Sequence, residues 1–233
     1  MEPLYSRRGF VLSLSKGFSL IELLVAFGII TVLMSVVLSS QSTFNKSLVL
    51  SNTAYDIALT LRSAETFGLS ARGSSVSTSA GYGLHFSSGS PGSFTLFSDT
   101  LPLPGSSSSC HEVPIGGADA PDAKPGNCVY DGQSEKVTDY ALGNGIIIND
   151  FCAKSISWSC VQAHGSYSGG LSSLDIIFAR PNPSPFMSTN GSYSAVSPVT
   201  EACISVVSPQ GGSPRYISIE ASGQIITTAA SCP

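Results

Sequence analysis

Residues 18–38 read FSLIELLVAFGIITVLMSVVL, and only Glu22 in that run is charged. Coiled as an α-helix at 1.5 Å per residue, the run is about 30 Å long, the thickness of a bilayer's hydrocarbon core. Any fold of this chain must leave that helix to lipid or to other apolar helices. Arg7, Arg8 and Lys16 precede it against Glu2 alone. The short N-terminal segment is therefore expected to stay cytoplasmic while the bulk of the chain crosses the membrane.

Three ordinary explanations compete for the run. A cleaved secretory signal would be processed near Ser39 or Ser40, but its apolar core should span only about 7–15 residues. A twin-arginine signal is suggested by Ser6-Arg7-Arg8-Gly9-Phe10. Against it, Lys16 and Gly17 intervene, and the tract that follows is unusually apolar for such a signal. A plain anchor leaves Glu22 unexplained, because a carboxylate in a spanning helix costs about 2.5–3.5 kcal/mol on insertion scales.

Lys16-Gly17-Phe18-Ser19-Leu20-Ile21-Glu22-Leu23-Leu24-Val25 accounts for these features together. The stretch resembles the class III signal of type IV pilins and type II secretion pseudopilins. The resemblance implies a prepilin peptidase that cuts after Gly17 and methylates the new N-terminus, Phe18. The basic residue would hold the cut site at the cytoplasmic face, and the glycine leaves room for a protease at the bilayer surface. Glu22 would neutralise the N-terminal amine of a neighbouring subunit during assembly. A carboxylate in hydrocarbon needs a positive partner, and cleavage creates one at Phe18. A glutamate snorkelling to the interface is the simpler role, but it leaves the adjoining cleavage-like sequence unexplained.

The helical pattern continues past the bilayer. Leu50, Ala54, Ile57, Leu61, Ala64 and Gly68 alternate spacings of four and three, one face of an amphipathic helix. Asn52, Asp56, Arg62 and Glu65 lie off that stripe. The spacing predicts one helix over about residues 18–72, stopping between Ala71 and Gly73 where a Ser-rich stretch begins. Gly28 lies in its membrane half, and no proline interrupts it.

Beyond Gly73 the chain reads as strands and loops. Residues 82–86 and 93–97 predict a hairpin, and a long Ser/Gly/Pro/Asp-rich loop covers residues 101–135. Residues 136–142 and 145–151 predict a second pair across the Gly143-Asn144 turn. Further strands are expected at 174–178, at 202–207 paired with 215–220, and at 224–227. Tyr82-Gly83-Leu84-His85-Phe86 with Phe94-Thr95-Leu96-Phe97-Ser98-Asp99 resembles the first hairpin of the GspH/FimT family of minor pilins and minor pseudopilins. Ile204, Arg215-Tyr216-Ile217-Ser218-Ile219 and Gly223-Gln224-Ile225 resemble its C-terminal hairpin. The long cysteine-bearing insertions depart from that family's compact pattern. The fold class expected is α+β: a pilin-like fold with a long N-terminal helix packed on an antiparallel β-sheet head. Its parts are a leader (residues 1–17), a transmembrane or filament-core helix (18–40), an amphipathic helical half (41–72) and a β-rich extracytoplasmic head (73–233).

Composition fits a head outside the cytoplasm. Charged residues make up 11% of the chain, against roughly 25% in typical soluble domains, so Ser, Thr, Asn and Gly supply the polar surface. Cys110, Cys128, Cys152, Cys160, Cys203 and Cys232 all follow the apolar run, and none forms a C-x-x-C pair. Disulfides in an oxidising compartment are the expectation, with cytosolic thiols as the alternative. Six cysteines allow fifteen pairings. The nearest-neighbour order Cys110–Cys128, Cys152–Cys160 and Cys203–Cys232 is the one expected here.

The sequence supplies no catalytic constellation, cofactor motif or metal motif. His85, His111 and His164 are scattered, and His111-Glu112 lacks the second histidine of a zincin. Gly165-Ser166-Tyr167-Ser168-Gly169 puts Tyr167 where a nucleophile elbow needs serine. Cys152, Cys160 and His164 are poorly spaced for zinc. Asp119, Asp122 and Asp131 do not match a calcium loop. Net charge is −4, and the C-terminal region has only Arg180 and Arg215 to set against Glu201 and Glu220, so nucleic acid is not an expected partner. The expected partners are prepilin peptidase, other pilin or pseudopilin subunits and the inner membrane. The expected role is structural, as a minor pseudopilin at or near the tip of a type II secretion pseudopilus. The alternative is a minor type IV pilin serving pilus biogenesis, adhesion or DNA uptake.

Overall fold

The computed structural model describes residues 17–70, 80–101, 110, 126–163, 165, 167–180, 182–209, 211, 213–228 and 231. Among the described residues there is one α-helix, α1 (Leu20–Leu69), which begins next to Ser19, whose carbonyl accepts the Leu23 N–H at 3.1 Å. It ends slightly before the predicted stop, with Ser70 in a turn. The chain divides into two compact units, Met1–Thr43 and Phe44–Pro233.

In the second unit the amphipathic stripe does what its spacing implies. Leu50, Ala54, Ile57, Leu61 and Ala64 are each at most 1% exposed and share one core with both sheets of the head. Asn52, Asp56 and Arg62 face outward. Gly68 marks the closest approach, since a Cβ there would lie 2.0 Å from the Phe178 carbonyl oxygen. Polar contacts fix the helix as well: Arg62 donates to the Ile225 carbonyl, and Arg215 Nε donates to Ser51 Oγ at 2.8 Å.

Among the described residues, the head contains ten strands: β1 (Gly81–Ser87), β2 (Ser93–Asp99), β3 (Lys136–Ala141), β4 (Ile147–Lys154), β5 (Trp158–Cys160), β6 (Ser173–Ala179), β7 (Asn182–Thr189), β8 (Glu201–Val207), β9 (Arg215–Glu220) and β10 (Ile225–Thr228). They form two antiparallel five-stranded sheets, ordered β3-β2-β1-β6-β7 and β10-β9-β8-β4-β5. Alternation sets the faces. Leu84, Phe86, Leu96, Ile176 and Phe178 of the first sheet and Phe151, Ala202, Ile204, Ile217 and Ile219 of the second enter the main core. Phe97 and Ile177, one residue out of phase, build a smaller cluster on the reverse face of the first sheet. The long N-terminal helix with its antiparallel β head is the α+β, pilin-like arrangement.

The β1–β2 and β8–β9 hairpins pair as the sequence predicts, and β10 joins β9. The second predicted pair is corrected. β3 and β4 are both strands, but β3 pairs with β2 and β4 with β8. Asn144 and Gly145 have the positive φ of a tight turn, yet the link passes the chain from one sheet to the other. The Leu142 and Ile148 N–H groups donate to the Gly92 and Pro91 carbonyls in the β1–β2 turn, which pins the crossing. The antiparallel strands of the head divide between two sheets. β7 was not predicted because Pro183 and Pro185 weaken the pattern, but it is an edge strand, where missing N–H donors are tolerated. β5 is three residues long and too short to show a pattern.

Candidate functional site

The first unit carries the features that sequence ties to function. Gly17 is exposed, and a Cβ there would meet nothing within 4 Å. A requirement for glycine at this position would therefore come from whatever docks on it. Phe18 is 81% exposed. Lys16 lies outside the described residues. Glu22 is exposed in the first turn of α1, three residues after Ser19. That spacing is the S-x-x-E signature of a capping box, and a carboxylate in the first turn complements the positive end of the helix. The signal S-x-x-E was present in the sequence and gives Glu22 a local role besides the one implied by resemblance.

Leu20–Leu38 is long and apolar enough to span a bilayer, with mean hydropathy 2.6 and none of it buried within the chain. Its few hydroxyls are turned onto the backbone. Thr31 donates to the Phe27 carbonyl and Ser35 to the Val32 carbonyl at 2.8 Å. Such bonds spare the polar groups an unpaired position in hydrocarbon. This is the single N-terminal apolar helix of a membrane anchor.

The head has its own polar construction, on the reverse face of the first sheet. Residues 126–135 form a strap over Phe97 and Ile177. The buried Asp99 carboxylate accepts the Asn127 and Cys128 N–H groups at 3.1 and 2.9 Å. Buried Glu135 accepts from Thr100, Leu101 and Asp131, each at 2.8 Å. Burial pushes the Glu135 carboxyl up to about 7, with nearby Asp99 adding to the rise, against those three donors. His85 and Asp175 face one another across β1 and β6 and are hydrogen-bonded. Ser188 donates to the Cys128 carbonyl and to Asp175. Burial raises Asp175 above the usual aspartate range despite its bonds to His85. Asp175 lies between His85 and Ser188, so the hydroxyl meets the carboxylate rather than the imidazole. The cluster anchors the strap and is not arranged as a nucleophile and base.

The cysteines are joined. Cys110–Cys128 and Cys152–Cys160 are disulfides, with Cα separations of 5.8 and 4.0 Å. Cys203 is also disulfide-bonded, and its expected partner Cys232 lies outside the described residues. Two carboxylate–sulfur groups, Asp99 with Cys110 and Cys128, and Asp150 with Cys152 and Cys160, have spacings short enough for a cation. In both, the sulfurs are already bonded to each other, and each aspartate accepts backbone N–H groups. His111, His164, Asp119 and Asp122 fall outside the described residues, while Asp131 accepts from the Asn127 side chain. Sequence reasoning missed Asp99, Glu135, Asp150 and Asp175. The only signal was a carboxylate inside or beside an apolar strand.

No curated protein and no solved structure matches the chain. Residues 12–38 match the family described as the prokaryotic N-terminal methylation motif. The match spans Gly17, Phe18, Glu22 and the exposed apolar turns of α1. The chain thus carries the signature of type IV pilins and pseudopilins, a motif that implies processing by prepilin peptidase and assembly with other pilins.

Proposed function

We propose that the chain is a minor pseudopilin, cut between Gly17 and Phe18, methylated on Phe18 and assembled at or near the tip of a type II secretion pseudopilus. The observation that carries this reading is an exposed Gly17-Phe18 junction directly before a wholly exposed apolar helix with one carboxylate in its first turn. Residues 1–17 are the leader, 18–40 the membrane and filament-core helix, 41–72 the amphipathic half and 73–233 the head. The precursor spans the inner membrane once. The head is extracytoplasmic, which the disulfides support, and it later joins a filament. In the filament, exposed Leu20, Leu24, Phe27 and Leu38 exchange lipid for neighbouring helices. The chain's role is structural, and its partners are the peptidase and sister subunits.

N-terminal sequencing of the membrane or filament form tests the reading. The mature chain should begin at Phe18 carrying an N-methyl group, and Gly17→Val should leave the precursor uncut. A mature start near Gln41 would restore an ordinary secretory signal and end the pilin reading.

A further inference from the structure

Arg215 stands in a row that is otherwise apolar. Alternate residues of a strand share a face, so Arg215 projects with Ile217 and Ile219, both buried in the main core. Across the ladder it opposes Val206, also buried. A half-buried guanidinium needs acceptors. Nε donates to Ser51 Oγ at 2.8 Å, and a terminal nitrogen donates to Ser47 Oγ at 3.2 Å. Both acceptors are neutral, and among the described residues Arg215 makes no ion pair. Ser47 and Ser51 lie one turn apart on α1. Hydroxyls inside a helix often bond a carbonyl one turn back, as those of Thr53, Thr60, Ser63 and Thr66 do. Ser47 and Ser51 accept from Arg215 instead, which leaves each hydroxyl hydrogen to donate elsewhere. Beside Arg215, the small side chains of Ser51 and Ala54 border a cavity of about 280 Å³, and Thr227 and Thr228 of β10 form its other wall. Thr227 is paired with Ile217 and so projects to the same face. It is exposed there, and its hydroxyl makes no hydrogen bond among the described residues.

We propose that this cavity is an oxyanion site that takes a phosphate group. Donors border it from three elements: the guanidinium from β9, the Ser51 hydroxyl from α1 and the Thr227 hydroxyl from β10. Among the described residues no carboxylate lines it. The two serines take only part of the guanidinium's donor set, and its planar fork matches phosphate oxygens in pairs. A planar carboxylate offers its oxygens in one plane. A tetrahedral phosphate offers them in several directions, which suits donors arriving from three elements. The volume lies just below the range of ordinary ligand pockets, roughly 300–1,000 Å³, so the site fits a small anionic group and not a nucleotide. Free phosphate carries that group, and so does a phospholipid head group. Binding would add a charge-assisted bridge between α1 and the β9–β10 hairpin, through the side chain that already joins them. The site uses no residue of the processing signature.

The test uses the full chain in a non-ionic detergent, titrated separately with inorganic phosphate and with glycerophosphoglycerol, the soluble head group of phosphatidylglycerol. Phosphorus-31 line widths report the bound fraction. Saturable binding is expected, weakened about tenfold or more by Arg215→Gln, because hydrogen bonds to charged groups are the strong ones. Thr227→Val keeps the branched shape and removes a hydroxyl that bonds nothing described within the chain. It should weaken binding severalfold and leave the urea midpoint unchanged, so it decides the matter even where Arg215→Gln does not fold. Tighter binding of inorganic phosphate assigns the site to the free anion, and tighter binding of the head group assigns it to lipid. No saturable binding of either probe would overturn the proposal. Equal binding by the native chain and Thr227→Val would also overturn it, leaving Arg215 as a clamp between α1 and the sheet.

Discussion

At Glu22, charge and helix capping coincide, and substitution separates them. Glutamine retains the capping geometry but not the charge, whereas valine loses both. If the carboxylate neutralises a neighbour's N-terminal amine, Glu22→Gln and Glu22→Val should both insert in the membrane and both be lost from filaments. Membrane fractionation and filament pull-down measure the two steps. Normal incorporation of Glu22→Gln alone would assign Glu22 to the cap. Glu135 makes a different prediction. Its carboxyl is raised from an ordinary 4.5 to about 7 by burial, so the folded state holds the proton more tightly than the unfolded chain does. Its contribution is fully present below about pH 4.5 and is lost as pH rises through about 7, a loss of about 2 kcal/mol once solvent screening is allowed for. Urea midpoints at pH 5 and pH 8 should differ for the native chain, and Glu135→Gln should flatten that difference. Gly17, Phe18 and Glu22 were legible because their signal is contiguous. Glu135 and Asp99 were not, because the positions they bridge are distant in the chain: Asp99 reaches Cys128, and Glu135 reaches back to Thr100.

Among the elements, α1 follows from periodicity alone, since one face had to be buried. Where that face stops against the sheet depends on Gly68. A side chain there collides with the Phe178 backbone carbonyl, and overpacking of a fixed interface costs about 1–3 kcal/mol. Gly68→Val should destabilise the head by about that much, seen as a lower urea midpoint in the fluorescence of Trp158, the sole tryptophan. Gly28→Ala should leave the midpoint unchanged, because nothing lies within 4 Å of a Cβ there. The β3–β4 link illustrates the limit of local reading. Its turn residues suit a hairpin, but pairing is decided by which edges remain open. β2 offers one edge to β3, and β8 offers one to β4.

For the whole molecule, the pseudopilus reading predicts a separable phenotype. Deleting the gene should stop release of folded exoproteins while surface pili and pilus-driven motility persist. Loss of pili with secretion intact would favour the minor pilin alternative. The sequence by itself determined the membrane segment, the processing signature and the buried helical stripe. Each is a property of consecutive or regularly spaced residues in contact with a uniform medium, lipid on one part and a sheet core on the other. Tertiary structure alone decided that the strands divide into two sheets. It also decided that four buried carboxylates hold or flank the straps and cystines, and that Arg215 faces the serines of α1. Those outcomes rest on register between strands far apart in the chain, where one residue of slip reverses every side chain. Only the packed core selects that register.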